Sequence, residues 1–185
     1  QVYSEENSCY SIFDFDEDLP EHAPNKELHS ESSWGQLFAN ESKACVLRYS
    51  KTGLNDGAFG VWLEENKDSK AFGKVFLQGM KEPEVILNGL SVPGEHMKAN
   101  VLNAALTLFL MGVEPAKIVE ICKSWPGIDH RLQYFYTWHF DGKEYKFYND
   151  SCATVPEAAA MATQAFEKSV ILFTGGTEKG LSLKP

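Results

Sequence analysis

Two loops hold most of the side chains in this chain that are suited to chemistry. The first, at residues 149–156, reads Asn-Asp-Ser-Cys-Ala-Thr-Val-Pro, and the second, at residues 175–180, reads Gly-Gly-Thr-Glu-Lys-Gly. A helix N-terminus favours bound anions, glycines let backbone amides approach a ligand, and a lysine adds a mobile positive charge. We expect the two loops to form one edge that binds an anionic ligand.

The elements around these loops predict how they meet. Alternating aromatic residues over 131–148, with Asp141-Gly142 between them, indicate a β-hairpin. An alanine-rich helix over 156–167 and a strand at Ser169–Phe173 follow. A strand, a helix and a strand in this order form a right-handed crossover with parallel strands, whose C-terminal ends bind ligands in open α/β sheets. The sequence therefore predicts that both loops emerge at one edge of a sheet.

Three charged residues are further candidates for ligand contacts. Asp150 at a strand end suits a ribose diol. Arg131 suits a phosphate, although Asp129 would offset its charge. Lys179 suits a carboxylate or a phosphate, but a surface lysine in a turn explains it slightly better.

Thr154 has a structural alternative of its own. The sequence from Thr154 to Glu157 fits a capping box, in which a hydroxyl and a carboxylate cap the helix start. Capping does not exclude anion binding at the same helix end. Cys152 lies in this loop too, but no histidine is near it in sequence, which disfavours a nucleophile.

The clearest helix covers 94–112, and a second helix covers 113–125. On the first, polar residues recur at a spacing that aligns them in one stripe: His96, Asn100, Asn103 and Thr107. Amide and imidazole groups both donate and accept, as recognition of a nucleobase edge requires. A solvent-facing or self-satisfied stripe is an equally good interpretation.

The residues before the first helix indicate a β-rich region. We expect a strand at Tyr10–Phe15, a short helix near Trp34–Ala39, and four further strands at Ala44–Tyr49, Phe59–Glu64, Lys74–Gln78 and Glu84–Leu87. An acidic cluster follows the first strand and suits a metal or a ribose, but a solvated loop explains it better: Asp14, Asp16, Glu17 and Asp18. Pro126-Gly127 breaks the second helix, and we place a domain boundary there.

Composition disfavours several classes of function. The 185-residue chain has a formal net charge of −9 with scattered basic residues, which argues against nucleic acid or a membrane as partner. No apolar run reaches the roughly 18 residues of a spanning helix, and the first residues lack a signal-peptide pattern. Four widely spaced cysteines suit reduced thiols, so we expect a cytoplasmic protein. The missing initiator methionine suggests a piece of a longer protein.

Four motifs, in this order, resemble those of the Mur ligases. Residues 94–100 resemble the family's G-x-H-N-x-x-N, and residues 127–131 resemble its G-x-x-H-R. Residues 149–154 resemble N-D-S-K-A-T, the form typical of the D-glutamate-adding branch, and residues 175–180 resemble G-G-x-x-K-G. Order and spacing agree for all four, and the resemblance is strong after residue 90 and weak before it.

The resemblance implies an α/β protein with two partial domains. Residues 1–126 would be the later part of a central ATPase domain, and residues 127–185 the first βαβ part of a Rossmann-like C-terminal domain. It also implies a monomeric ligase of peptidoglycan precursor synthesis. In that family, ATP phosphorylates the carboxylate of UDP-N-acetylmuramoyl-L-alanine, and D-glutamate attacks the acyl phosphate.

The resemblance also implies roles for single residues. The residues expected to contact ATP are His96, Asn100, Arg131 and Asp150, and those expected to hold D-glutamate are Ser151, Thr154 and Lys179. The P-loop and the Mg²⁺ ligands would lie upstream, so we expect this chain alone to be inactive.

Three positions depart from the family pattern. Met97 and Val155 each stand where the family has Asn, and Cys152 stands where it has Lys. The resemblance implies that the lysine's absence removes a positive charge near ATP and D-glutamate. These departures motivate an alternative hypothesis, a non-catalytic α/β module that binds a nucleotide or a dicarboxylate.

Overall fold

The computed structural model describes residues 2–3, 9–14, 34–54, 57–64 and 71–177, with side chains from residue 38 onward. The chain divides into two compact units, one of residues 1–90 and 98–124 and one of residues 91–97 and 125–185. The chain is an α/β protein, as predicted. The assignment of 1–126 and 127–185 to two Mur ligase domains stays a prediction.

The first unit is built on a mixed sheet. Within the described residues it has six strands, which lie side by side in chain order: β1 (Val2–Tyr3), β2 (Cys9–Asp14), β3 (Cys45–Ser50), β4 (Gly60–Leu63), β5 (Phe72–Phe76) and β6 (Glu84–Asn88). Strands β2, β3 and β4 run parallel, and the outer pairings are antiparallel. The helix α1 (Trp34–Glu41) lies between β2 and β3 in sequence. The five strands and the short helix predicted for this region are confirmed, with bounds shifted by one or two residues.

Two helices follow, as predicted, α2 (Glu95–Leu110) and α3 (Pro115–Ser124). All of α3 and the part of α2 from residue 98 onward belong to this unit. The sheet buries alternate residues such as Leu47 and Val61, and α2 buries its own apolar stripe, including Leu102. A Cβ added to Gly73 of β5 would lie 2.5 Å from Leu102 Cδ1. The absence of a side chain at Gly73 therefore lets α2 approach the sheet. None of the helices in the described part has the length and apolar character to cross a membrane.

The second unit contains the predicted hairpin and helix. Strands β7 (Gln133–Phe140) and β8 (Lys143–Asn149) pair antiparallel, and α4 (Pro156–Gln164) follows. The connecting residues Asp141 and Gly142 have φ of 48° and 68°, as a type I′ turn requires. This turn matches the right-handed twist of the strands, which is why the Asp-Gly pair predicted it correctly.

The alternation expected along β7 is broken by an irregularity. The pairing register shifts between Tyr134 and Tyr136, so that Tyr134 pairs with Tyr148 and Tyr136 with Phe147. The Tyr134 hydroxyl consequently lies 2.5 Å from Thr137 Oγ1. A bulge thus turns Tyr134 toward the face of Thr137, away from the face it would share with Tyr136 in a regular strand.

The strand predicted at Ser169–Phe173 is not formed. Residues 166–177 contain no helix or strand, and Ile171 and Phe173 are 81% and 89% exposed. A strand needs a neighbour for its backbone N–H and C=O groups, and none of the described strands pairs with residues 169–173. The prediction of a parallel crossover was therefore wrong for this structure. The shared edge of residues 150–154 and 175–179, which was derived from that crossover, has no structural support.

Candidate functional site

A tight turn at residues 128–132 leads into β7 and includes Arg131. Ile128 and Arg131 form an isolated bridge, in which the Arg131 N–H donates to the Ile128 carbonyl at 3.1 Å. His130 and Leu132 have φ of 65° and 44°, in the left-handed region that non-glycine residues rarely adopt. Arg131 is thus flanked on both sides by residues in an unusual backbone conformation.

The loop after β8 holds this turn. Asp150 Oδ1 accepts a hydrogen bond from the Leu132 N–H at 3.0 Å, and the Cys152 N–H donates to the His130 carbonyl at 2.9 Å. The Asn149 side-chain amide lies 2.8 Å from His130 Nδ1. The two motifs, at 127–131 and 149–154, are therefore in direct contact.

His96, at the start of α2, belongs to the second unit, as do Arg131 and Asp150. The side chain is half-buried, and burial lowers its pKa. The Asp150 carboxylate opposes that shift and the Arg131 guanidinium adds to it. His96 therefore lies within electrostatic reach of both Asp150 and Arg131, two further residues predicted to contact ATP.

Gly94 lets the chain pass close to His96. Its φ is +100°, and an added Cβ would lie 2.7 Å from His96 Cε1 and 3.2 Å from the Ala165 Cβ. Glycine is the residue that adopts this conformation without strain. The first glycine of the 94–100 motif thus leaves room for the imidazole.

The rest of the polar stripe on α2 is largely satisfied by its own helix. Asn103 Nδ2 donates to the Ala99 carbonyl at 3.2 Å, and Thr107 Oγ1 donates to the Asn103 carbonyl at 3.1 Å. For these two residues the self-satisfied interpretation holds. Asn100 is exposed and lies on the part of α2 that belongs to the first unit.

The capping box predicted at Thr154 is not formed. The N-cap of α4 is Val155, with φ −132° and ψ 151°, and no side chain caps it. The reason is Pro156, which occupies the first turn and forces the residue before it into an extended conformation. Thr154 and Ser151 are both exposed, and the Ser151 N–H donates to Asn149 Oδ1 at 3.1 Å.

Other predicted candidates lie outside the described residues. These are Lys179, the last residue of the predicted D-glutamate set, and three members of the acidic cluster, Asp16, Glu17 and Asp18. The side chain of Asp14 is likewise not described. Among the side chains that are described, no three His, Cys, Asp or Glu residues lie close enough to hold a metal ion.

The second unit also has a cleft of about 450 Å³ on the Thr137 face of the hairpin. Its lining combines loop residues with both strands: Ser91, Val92, Pro93, Pro126, Leu132, Tyr134, Thr137, Glu144, Lys146 and Tyr148. Lys146 Nζ lies 3.3 Å from Glu144 Oε1, and the hydrogen bond and negative charge of Glu144 raise the pKa of Lys146. None of the predicted site residues that the structure describes is part of this lining. We place the candidate site at His96, Arg131 and Asp150, because His96 lies within electrostatic reach of the other two and Asp150 bonds the residue after Arg131.

Sequence reasoning missed Asn149 and Gln133. Gln133 Oε1 accepts the His130 N–H at 2.9 Å, and its Nε2 donates to Asp129 Oδ1 at 2.7 Å. A short amide side chain at a strand end is a common partner for nearby backbone groups, and this signal was present at Asn149. The contact to His130, nineteen residues earlier, had no local signal.

Several proteins of known name are similar to this chain over most of its length. No family model matches the chain. A UDP-N-acetylmuramoylalanine–D-glutamate ligase of Latilactobacillus sakei is 30% identical over 152 residues, which cover 81% of this chain and 30% of that protein. Over the matched residues, the chain is similar to the Mur ligases.

Two further relatives are similar to the same extent. Proteins with the same name from Bacillus cytotoxicus and Lactiplantibacillus plantarum are 34% and 32% identical over 145 and 150 residues. These matches cover 78% and 80% of this chain but 29% and 28% of the relatives, so the chain spans about 30% of their length. A solved structure, MurF from Acinetobacter baumannii, has a TM-score of 0.44 and 17% identity, over 65% of this chain and 24% of that one.

Proposed function

We propose that this chain is part of an ATP-dependent ligase that joins D-glutamate to UDP-N-acetylmuramoyl-L-alanine in peptidoglycan precursor synthesis. The observation that carries the proposal is that His96, Arg131 and Asp150, from three separate sequence motifs, lie in one compact unit, where Asp150 accepts a hydrogen bond from the residue after Arg131. The names of the relatives supply the amino acid and the acceptor. The proposed protein is a cytoplasmic monomer.

These three residues offer one group for each part of a nucleotide. The Arg131 guanidinium would donate to phosphate oxygens, because it is a planar fork of donors. Asp150 uses Oδ1 for the Leu132 N–H, which leaves Oδ2 to accept from a ribose hydroxyl. His96 favours its neutral form and can both donate and accept. Asn100 lies in the first unit, and its contact to the base stays a prediction from the sequence motif.

The D-glutamate contacts are proposed on the other side of the same loop. The hydroxyls of Ser151 and Thr154 are exposed just before α4, and Lys179 would supply the cation for a carboxylate. Mg²⁺, held by residues outside this chain, would neutralise phosphate charge during phosphoryl transfer. The chain alone is therefore expected to bind without turning over.

Arg131→Ala tests the nucleotide assignment in a protein of the relatives' full length. Loss of a charged phosphate contact should raise KM for ATP by about tenfold or more and change KM for D-glutamate by less than about twofold. Lys143→Ala, an exposed cation at the hairpin turn, is the matched control and should change neither. Equal effects of both variants would reject the role of Arg131.

Lys179→Ala tests the amino-acid assignment with the opposite pattern. It should weaken D-glutamate use more than ATP binding, since its ammonium is assigned to a carboxylate. Steady-state kinetics with each substrate varied in turn separates the two effects. A variant that weakens ATP and D-glutamate equally would contradict the assignment.

One observation favours a second candidate, a binding module without turnover. Cys152 stands where the D-glutamate-adding branch has a lysine, and its side chain is exposed in the loop beside Asp150. The upstream coding sequence discriminates between the two. A Gly-Lys-Thr loop after a strand there favours the ligase, and an unrelated domain or a stop codon favours the module.

A further inference from the structure

Asn149 makes two contacts that fix the orientation of its side chain. Oδ1 accepts the Ser151 N–H at 3.1 Å, so the other end of the amide, Nδ2, faces His130 Nδ1 at 2.8 Å. An amide nitrogen only donates. His130 Nδ1 is therefore the acceptor, and the imidazole is held from a point nineteen residues away.

The residue that Asn149 holds is in a strained conformation. His130 has φ of 65°, and Leu132, two residues on, has φ of 44°. Side chains other than glycine adopt this region at a cost, and they stay there only where the surroundings hold them. His130 and Leu132 therefore need partners outside their own turn.

Those partners come from the loop that Asn149 begins. Besides the amide contact to the His130 ring, the Cys152 N–H donates to the His130 carbonyl and Asp150 Oδ1 accepts the Leu132 N–H. On the other side, Gln133 Oε1 accepts the His130 N–H. The backbone on both sides of Arg131 is thus fixed by hydrogen bonds.

We propose that Asn149 is a positioning residue for Arg131. By holding His130 in the left-handed conformation, Asn149 sets the direction in which the Arg131 side chain leaves the turn. This inference rests on the proposed function, in which the guanidinium contacts the phosphates of ATP. Asn149 thus has a role separate from that of Asp150, for which we propose a ribose contact.

A double-mutant cycle of Asn149→Ala and His130→Gly tests the role. In the full-length protein, Asn149→Ala should raise KM for ATP about fivefold to tenfold, the effect of losing one or two hydrogen bonds, with kcat changed by less than about twofold. Glycine adopts positive φ without support. The double variant should therefore have a KM for ATP within about twofold of His130→Gly alone. Effects that multiply independently would overturn the proposal.

A readout in the 185-residue chain separates this proposal from the ligase assignment. Three-bond HN–Hα couplings and Cα shifts of His130 and Leu132 should move away from positive-φ values in Asn149→Ala. Thr137→Val, which removes another side-chain hydrogen bond of the hairpin, should leave them unchanged. Unchanged φ in Asn149→Ala would overturn the positioning role. A full-length protein without ATP-dependent ligation would instead overturn the proposed function, and the φ measurement would still decide the role of Asn149 in the turn.

Discussion

The Asp150 carboxylate accepts a hydrogen bond from the backbone N–H of Leu132 at 3.0 Å, across eighteen residues of sequence. This contact joins the loop after β8 to the turn before β7, so that the two motifs form one structure. One carboxylate oxygen is used in the fold and the other is assigned to the ligand. Asp150 therefore combines a structural and a binding role, which different substitutions should separate.

Asp150→Asn should keep the fold and weaken nucleotide binding. The asparagine retains an Oδ1 that can accept the Leu132 N–H, but it loses the charge and the second acceptor. We expect KM for ATP in the full-length protein to rise about tenfold or more, because hydrogen bonds to charged groups contribute about 1.5–3 kcal/mol.

Asp150→Ala is the companion variant, and it should also destabilise this chain by about 1 kcal/mol relative to Asp150→Asn through the lost Leu132 contact. Urea unfolding of the 185-residue chain measures this difference. Identical stabilities of the two variants would show that the Leu132 contact contributes nothing to the fold.

Gly94→Ala should destabilise the second unit more than a matched glycine substitution elsewhere. Gly94 and Gly89 have φ of +100° and +93°, so alanine is strained at both positions, by about 1–3 kcal/mol. Only at Gly94 would the new Cβ also meet the His96 ring; at Gly89 it meets nothing within 4 Å. We expect Gly94→Ala to cost about 1 kcal/mol more than Gly89→Ala in urea unfolding. Equal losses would argue against close packing of His96.

The stability of the chain should fall as the pH is lowered through the range in which His96 titrates. Burial lowers the folded-state pKa of His96 below its ordinary value of 6.5, so the unfolded chain binds the proton more readily. The contribution is fully present above the unfolded pKa and is lost as the pH falls through the folded pKa. His96→Gln should flatten this part of the curve of unfolding free energy against pH. An unchanged slope in the variant would contradict the assignment.

Cys152→Lys should improve use of ATP. The Cys152 side chain is exposed and only its backbone N–H is used in the fold, so a lysine can replace it with a stability change within about 0.5 kcal/mol. The added positive charge lies in the loop proposed to face the nucleotide, and we expect KM for ATP to fall. Cys152→Ser, which adds no charge, serves as the control. A lysine variant that matches the serine variant would place residue 152 away from the nucleotide.

Local signals in the sequence predicted most of the fold. The apolar periodicity of α2, the Asp141-Gly142 turn and the short strands of the first unit each depend on neighbours within a few residues. The strand at Ser169–Phe173 failed because a strand also depends on a distant partner, which no local pattern reveals. The apolar composition of this segment was not sufficient to predict a strand.

The sequence predicted only part of the candidate site. Resemblance to the Mur ligases indicated His96, Arg131 and Asp150, which the structure brings together. The positive φ values at His130 and Leu132, and the Asn149 amide that meets the His130 ring, arise from contacts across the hairpin. Such contacts become visible only when the two ends of β7 and β8 are placed side by side.

The most direct test of the central claim is ligation by the full-length protein that contains this chain. Purified protein is incubated with UDP-N-acetylmuramoyl-L-alanine, radiolabelled D-glutamate, ATP and Mg²⁺, and the labelled nucleotide product is separated and counted. We predict a labelled product that requires both ATP and the acceptor and that is strongly reduced by Arg131→Ala. Absence of product in wild-type protein that is shown to be folded, or product formed equally well without ATP, would contradict the account.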